Sequence, residues 1–570
     1  MKMKVFRSTL VLCCILSYAQ THATTPTGQM EKALALRLAK ARSSCLVGGK
    51  KIYAYDPSWL KTFYKRRTYH PAWSVDGRLR KEEVHQLAAY LSKTDLDGLD
   101  PSDYFACAVE SIAGWYDQAA PMDDTAASRV DLLLTDAFLR IASDLSCGRI
   151  DPRSVNEEWN IRPQKIDVAG VLQRALDSAG IGPSLDRLRP HGREYEYLMK
   201  ALAFYRSLPD APDPEKIAGT RRLAKGDSNS RVVTLRKRLA IWSPGIDVEN
   251  AVFDQPLAEV LKVFQDDHGI DPDGVAGMET IAALNRTPAD DVQQIIVNLE
   301  RCRWLPPEPE GRHITVNIPS FELRVMEGGL TVKDMRVVVG RSDHRTPLLC
   351  NAMTHIVFSP YWNVPPAIAA NEIIPQIIKN VSYLKKESIR VFEKDGNDLS
   401  EVDPEAIDWT AVQDRDLRFR MDPGARNSLG RIKFMFPNDN NVYLHDTPAK
   451  NLFKKNVRPF SHGCVRVEEP VALAAYLLAK DTAWVKQEIR TASSHHGERA
   501  VSLAEPVPVR LQYCTLWVDD TGVLQFRKDL YGWDDQVAKS LRGVPVIHRA
   551  PPVRHFALHA GPSLQSVSVE

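Results

Sequence analysis

The chain carries almost no net charge. Its 74 lysines and arginines stand against 72 aspartates and glutamates, a formal balance of +2, so no basic field marks a nucleic-acid partner. Long apolar runs are missing as well. Past the N-terminus nothing approaches the ~20 apolar residues that cross a bilayer, and no membrane span is expected in a mature chain. There is no HExxH and no paired CxxC, which removes the usual spacing signals of zinc. Asp271, Asp273 and Gly274 lack the ligand spacing of an EF-hand, so a plain turn is expected there.

What is present is long and mixed. At 570 residues, and ~150 residues per domain, three or four units are expected. Hydrophobic residues make up 44% and charged residues 26%, the composition of a globular protein rather than a disordered one. Lys2, Lys4 and Arg7, the apolar run Thr9 to Tyr18 and the small-x-small site Thr21-His22-Ala23 read as a secretory signal over 1–23. A signal-anchor is the alternative; Cys13 and Cys14 lack the small residue that precedes a lipobox cysteine. Without those two, seven of the nine cysteines remain: Cys45, Cys107, Cys147, Cys302, Cys350, Cys464 and Cys514. An odd count leaves at least one thiol free. Cys45, Cys107 and Cys147 either contribute a disulfide in an oxidising compartment or are small buried residues, and the sequence does not choose.

The fold class expected is multidomain, mixed α and β. Residues 24–220 read as a helical scaffold: Val130, Leu133, Leu134, Ala137, Phe138, Ile141 and Leu145 share one helical face, and similar patterns recur at 82–91 and 168–179. Pro209, Pro212 and Pro214 mark a linker. A small three-helix module follows at 221–287, with Val232, Leu235 and Leu239 in one helix, Leu257, Val260, Leu261 and Phe264 in the next, and a Gly-rich turn before the last. Residues 288–311 are expected as a connecting helix and linker. Over 312–490 the pattern turns to strands, with a hairpin at "HITVNIPSFELRVMEGG" and "LTVKDMRVVVG". A polar, largely helical insertion at about 367–420 interrupts it, an excursion more in keeping with a lid than an idle loop. Residues 491–570 give a further hairpin, turning at 519–522, a short helix and a patternless tail.

Chemistry concentrates in "VYLHDTPAKNLFKKNVRPFSHGCVRVEEP", residues 442–470. The nucleophilic form of cysteine is the thiolate, scarce at neutral pH for a free side chain of pKa ~8.5. A histidine upstream of Cys464, His445, can take the proton or hold the thiolate as an ion pair. Gly463 admits a close backbone approach, so the amides of Gly463 and Cys464 are candidate oxyanion donors. Arg466 offers the planar fork that suits a substrate carboxylate. Tyr443, two residues before His445, belongs to the same strand face and either touches substrate or packs in the core; Trp362 and Asn363 are lesser candidates. Zinc held by this His/Cys cluster would need three or four converging ligands, so no metal is expected. In papain-like proteases the cysteine precedes the histidine; here the order is reversed.

The string "HDTP…SHGCVRV" resembles the catalytic motif of the L,D-transpeptidase (YkuD-type) domain, with His445, Ser461, His462, Gly463, Cys464 and Arg466 all in place. "FQDDHGIDPDGVAGMET" resembles a peptidoglycan-binding domain. "YWNVPPAIAANEIIP" and "DPGARNSLGRIKFMFPN" are similar to the large Gram-negative members, which join a helical scaffold, that binding domain and a catalytic β-domain with a capping insertion. The resemblance implies Cys464 as the acylated nucleophile and His445 as general base, oriented by a neighbouring backbone carbonyl rather than by Asp446. Gly463, His462, Ser461, Arg466 and Tyr443 are then oxyanion or substrate residues. It implies 3→3 crosslinking between peptidoglycan stem peptides, contact with glycan strands, no cofactor, acylation by carbapenems and a periplasmic location. Hydrolysis by an L,D-carboxypeptidase, attachment of a lipoprotein to the wall, and wall binding without catalysis stay open.

Overall fold

The computed structural model describes residues 27–40, 45–47, 50–52, 57–116, 123–162, 164–207, 215–396, 398–412, 415–479, 486–494 and 497–543. The expected signal over 1–23 and the tail past 549 lie outside them. In the N-terminal third, helices Thr27–Lys40, Pro57–Arg66, Lys81–Leu91, Ala106–Tyr116, Val168–Arg174 and Ile181–Asp186 surround a 24-residue helix, Asp124–Cys147. Two short ribbons accompany them, β1 (Cys45–Val47) with β2 (Lys50–Ile52) and β3 (Ser74–Val75) with β4 (Arg78–Leu79). The long helix starts where the Asp123 carboxylate accepts from Ala126 N at 2.7 Å, satisfying a donor that the first turn leaves free. Its Val130, Leu134, Ala137, Phe138, Ile141 and Leu145 are buried, as their spacing predicts, against Leu34, Phe63, Trp73 and Leu87. Asp131 is buried among them, and its carboxylate accepts from Ala72 N at 3.0 Å, Trp73 N at 2.9 Å and Tyr64 Oη at 2.5 Å. Cys107 and Cys147 are free thiols here; the Cys45 side chain lies outside the described part.

The three-helix module comprises Ser230–Leu239, Gln255–Asp267 and Met278–Leu284, packed through Val232, Leu235, Leu239, Leu257, Leu261, Phe264 and Ile281. The acidic turn that might suggest calcium is closed internally. Asp273 Oδ1 accepts from Gln265 Nε2 at 2.9 Å and from Val275 N at 2.8 Å. The module docks on the C-terminal hairpin of β18 (Leu516–Val518) and β19 (Leu524–Phe526), which turns where the sequence predicts. His268 is stacked between Phe264 and Phe526, with ring centroids 3.8 and 4.8 Å away, and Trp242 meets it edge-on at 5.0 Å.

The segment expected to be a mere connector is a different object. Helix Pro288–Trp304 opens with a capping box between Thr287 and Asp290 and is buried along most of its length, polar residues included. Asn298 Oδ1 accepts from Thr515 N at 3.0 Å, and Arg301 meets Asp534 at 2.6 Å. Glu300, 0% exposed, accepts from Arg149 N at 2.5 Å, Ile150 N at 2.9 Å, Trp304 Nε1 at 3.1 Å and Arg303 Nη1 at 2.9 Å. A connector needs no such inward polarity. This helix is an axle between the scaffold and the sheet.

Eleven strands build the C-terminal domain around that axle: β5 (His313–Asn317), β6 (Glu322–Glu327), β7 (Leu330–Gly340), β8 (Leu349–Phe358), β13 (Ile432–Met435), β14 (Leu444–His445), β15 (Pro459–Ser461), β16 (Val465–Val467), β17 (Arg499–Gln512) and the hairpin above. The main sheet runs β15-β7-β16-β14-β13-β8-β17-β5-β6. The long β7 pairs with β6 along its first part and with β16 and β15 at its end, so the sheet closes on itself. Its interior is Ile314, Val316, Leu323, Ile356, Phe358, Phe434, Leu444, Val465 and Val467.

The insertion is only half helical, which corrects the expectation. Short helices at Pro366–Ile368, Ile374–Lys379 and Ser382–Glu387 precede a four-stranded antiparallel sheet, β11 (Asp398–Glu401), β10 (Ile389–Asp395), β12 (Leu417–Met421) and β9 (Trp362–Asn363). "LRFRM" alternates apolar and charged residues at period two, a half-buried strand pattern, while "IRVFEKD" places its apolar Ile389, Val391 and Phe392 ahead of a charged end. Val364, Ile373, Ile377, Val391, Trp409, Phe419 and Met421 give it a core of its own. Trp362 and Asn363 pair with Met421 and Arg420, which makes them part of this small sheet. Asn427 Nδ2 donates to Pro360 O and Asp422 O, both at 3.0 Å, and so pins the two stems together.

Two predictions follow from this architecture. Glu300→Ala strands the Arg303 guanidinium and three donors in a dry interior, and is expected to cost about 3–5 kcal/mol, read from the first thermal or urea transition. His268 is driven down to about 3, by its burial above all and in smaller part by Arg286 and Arg527, against the opposing hydrogen bond to Phe264 O, while an unfolded imidazole titrates near ~6.5. The stability it contributes is therefore full above pH 6.5 and is lost as pH falls toward 3. Hydrogen-exchange protection over 228–284, corrected for intrinsic rates, should fall across that window, and His268→Phe should remove the dependence.

Candidate active site

Two adjacent strands in parallel register bring the expected residues together. Leu444 pairs with Val465 and His445 with Arg466, while on the other side of β14 Lys433 pairs with His445. Because side chains alternate along a strand, Leu444, Val465 and Val467 point to the core. Tyr443, His445, Cys464, Arg466 and Lys433 share the opposite face. His445 lies one row along from Cys464, a diagonal neighbour.

His445 is 4% exposed, and its Nδ1 donates to the backbone carbonyl of Asp446 at 2.5 Å, since a carbonyl can only accept. That contact leaves Nε2 with the lone pair. The Asp446 carboxylate is occupied elsewhere, accepting from Arg431 N at 2.8 Å, Thr447 N at 2.7 Å and Lys450 Nζ at 2.6 Å. Burial above all, then the nearby Arg466 and Lys433 charges, drive the imidazole down to about 3. The ring is neutral at any physiological pH.

Cys464 sits deep among protein atoms but keeps part of its surface open. Its Sγ donates to Asn441 O at 3.9 Å rather than to His445. Burial pushes the thiol up from its ordinary value, outweighing the contrary pull of Tyr443, Lys433 and Arg466. Burial thus disfavours the charged form of both groups.

Ser461 and Gly463 have a different place from the one expected. Ser461 is 2% exposed; its Oγ donates to Cys464 O at 2.5 Å and accepts from Gly463 N at 3.3 Å, so it pins the turn from inside. In the resting turn the Gly463 amide is therefore engaged with Ser461. Gly463 has φ +106, and a Cβ there would stand 3.3 Å from Arg345 O. Its carbonyl accepts from Thr346 Oγ1 at 2.8 Å. Thr346 N in turn donates to Tyr531 Oη at 3.2 Å, and Tyr531 Oη donates to Gly340 O at 2.8 Å. Thr346 and Tyr531, which support the nucleophile turn from behind, carry no sequence signal.

The positive side of the site is only partly visible in sequence. The Arg466 guanidinium makes no hydrogen bond among the described residues, and its buried Nε is orphaned. Burial lowers its proton affinity, with the Cys464 charge opposing. Lys433, not singled out by the motif, lies with Nζ 3.9 Å from the Tyr443 ring centroid and has no anion in contact. Burial lowers it too. The Tyr443 ring lies 5.7 Å from the His445 ring and closes the other flank. His462 points away from Cys464, toward Glu372 of the insertion and Arg341.

Comparison with known proteins places this geometry. Three family models match the chain: a scaffold domain over 58–202, a "Putative peptidoglycan binding domain" over 228–284, and the YkuD L,D-transpeptidase catalytic domain over 311–486. A curated protein of Haemophilus influenzae named "Putative L,D-transpeptidase" is 32% identical over 246 residues, which are 43% of this chain and 49% of that protein. The chain thus spans about half the length of that relative. Among solved structures, the L,D-transpeptidase of Xylanimonas cellulosilytica is 14% identical with a TM-score of 0.16, covering 52% of this chain and 99% of that one. A fused Zn-dependent amidase/peptidase/peptidoglycan-binding domain-containing protein of Clostridium acetobutylicum is 12% identical with a TM-score of 0.14, covering 52% and 100%. Scores that low add nothing to the assignment, which rests on the family models and the curated relative. Residues 311–486, with the Cys464 and His445 strands inside them, match the L,D-transpeptidase catalytic-domain family model, and they follow matches to a scaffold domain and a peptidoglycan-binding domain in the same chain.

Proposed function

We propose that the protein crosslinks peptidoglycan stem peptides 3→3 through a thioester on Cys464, in the periplasm, after loss of residues 1–23. The observation that carries this reading is the charge around the thiol. A half-buried cysteine shares a sheet face with a carbonyl-anchored histidine and two cations: Arg466, whose buried Nε has no hydrogen-bond partner, and Lys433, which makes no ion pair among the described residues and feels the more distant charge of Glu498. Burying a charge without a partner is costly, so such a site suits a ligand that brings carboxylates, as stem peptides do.

In the first half-reaction Sγ attacks the carbonyl carbon of the L-centre of diaminopimelate while its proton passes to His445 Nε2. The Cys464 amide holds the oxyanion. The C–N bond to D-alanine then breaks, His445 returns the proton to the departing amine, and a thioester remains. The side-chain amine of an acceptor stem attacks that thioester, forms the new amide and passes its proton through His445 to the released thiolate. A carboxylate against Arg466 removes part of the field that keeps His445 at about 3, so substrate binding itself strengthens the base. The insertion keeps water from the thioester, and the 228–284 domain holds glycan nearby.

Disaccharide-tetrapeptide incubated with the protein should give, by mass spectrometry, a dimer lacking one D-alanine. Tripeptide monomer alone would turn the reading to hydrolysis, and full activity in Cys464→Ala would overturn the mechanism. A carbapenem should add its mass to wild type and not to that variant. Alkylation of Cys464 by iodoacetamide should climb steadily with pH beyond 9, with no plateau near neutrality, because the thiol is shifted upward; a plateau near pH 6 would point to a preformed thiolate. Arg466→Met should lower kcat/KM for the tetrapeptide by about 10- to 100-fold, mostly through KM, the ~1.5–3 kcal/mol of a hydrogen bond to a charged group.

A further inference from the structure

Three separate segments meet beside the nucleophile turn. His344 comes from the loop after β7, Glu372 from the helical start of the insertion, and His462 from the turn before Cys464. One ligating atom from each lies within 4.8 Å of the other two, the one such group of three His, Cys, Asp or Glu side chains among the described residues. The imidazoles of His344 and His462 have centroids 4.9 Å apart, and Glu372 Oε1 rests directly on His462 Nε2.

The hydrogen bonding at that nitrogen does not close by itself. Arg341 Nη2 stands 3.2 Å from His462 Nε2 and can only donate, so it requires a lone pair there. An ionised Glu372 can only accept, so it requires a proton on the same atom. One ring position cannot meet both. At His344 the tautomer is already set: Nδ1 contacts Asp343 O at 2.5 Å and must donate, which leaves Nε2 as a lone pair. A backbone carbonyl holding the far nitrogen of an imidazole is how ligating histidines are commonly oriented.

We propose that His344, His462 and Glu372 form a divalent-cation site that fastens the insertion to the nucleophile turn. Two imidazole nitrogens and one carboxylate oxygen are the donor set of Zn²⁺ or a similar borderline cation, and a water completes the tetrahedron. The cation takes the His462 lone pair and the Glu372 oxygen together. Arg341 then turns to Asp343, which already lies 3.2 Å from its Nε. No spacing motif announces such a site, since Glu372 and His462 are 90 residues apart. The binding site stands on this geometry alone; its consequence, restricted entry to Cys464, rests on the function proposed above.

The test uses the full chain, freed of metal by chelation, with Zn²⁺ titrated against a chromogenic chelator. One equivalent should bind, and Glu372→Gln and His344→Ala should each weaken it by about tenfold or more, as loss of a ligand does at least as strongly as loss of its supporting partner. Zinc should also slow amide exchange over 362–421 and alkylation of Cys464 in wild type, but not in Glu372→Gln. Both side chains lie at the surface, so neither substitution threatens the fold. Absence of binding would overturn the proposal, as would binding that survives both substitutions. Zinc that is lost only in Cys464→Ala would sit on the thiol instead, and would overturn it equally. None of these readouts needs turnover, so failure here and failure of the acyl-transfer reading are separate results.

Discussion

The Glu300 carboxylate, enclosed in helix Pro288–Trp304, sets how the rest of the protein is assembled. A bare carboxylate in such a place would be lost to desolvation, and it persists because four donors surround it. Two of them are scaffold amides, at Arg149 and Ile150, and a third is Trp304 of its own helix. The fourth, Arg303, reaches on to Tyr195 Oη at 2.9 Å, Tyr195 to Asp97 at 2.9 Å, and Asp97 to Arg189 at 2.7 Å. Such a chain adds less to net stability than to uniqueness, since any other docking angle leaves charges unpaired. Even the approach is fixed: at Gly148, φ +80, a Cβ would fall 2.5 Å from Trp304 and 2.8 Å from the Glu300 carboxylate.

At the far end of the same domain the electrostatics run the other way. There Arg466 keeps a buried nitrogen without a partner, and burial disfavours the charged forms of both His445 and Cys464. Cations beside a thiol usually favour the thiolate, yet at Cys464 the loss of solvent is the larger effect.

Much of this was legible in the sequence, and unevenly so. Helical phase gave the long scaffold helix, because one apolar stripe of Val130 to Leu145 leaves few alternatives. His445, Cys464 and Arg466 were legible through their fixed local string, which sits on two neighbouring strands. Ser461 and Gly463 were singled out by the same string, but a motif does not say which way a hydroxyl or an amide points, and Ser461 Oγ turns inward to Cys464 O. Lys433 and Glu372 were invisible because their relevance is created by cross-strand pairing and by the folding-over of the insertion. The sheet inside that insertion was missed for a simpler reason: Arg418 and Arg420 between apolar neighbours, and the run Glu393 to Asp395, look like polarity rather than like strands exposed on one side. The helix expected at 288–311 is present, but sequence could not show that its polar residues are met by partners from distant segments.

The parallel pairing of β14 with β16 has one more consequence. Parallel neighbours cannot be joined by a tight hairpin, so the chain must leave the sheet after His445 and return before Cys464. Everything between, from the turn at Thr447 through Lys450–Lys454 to β15, is a detour whose length the relative placement of the two reacting groups does not depend on. His445 and Cys464 are registered by backbone hydrogen bonds between their strands, and the detour is tied back to the sheet at Lys450, Arg458 and Ser461. Between those anchors its length can vary while the two side chains keep their spacing.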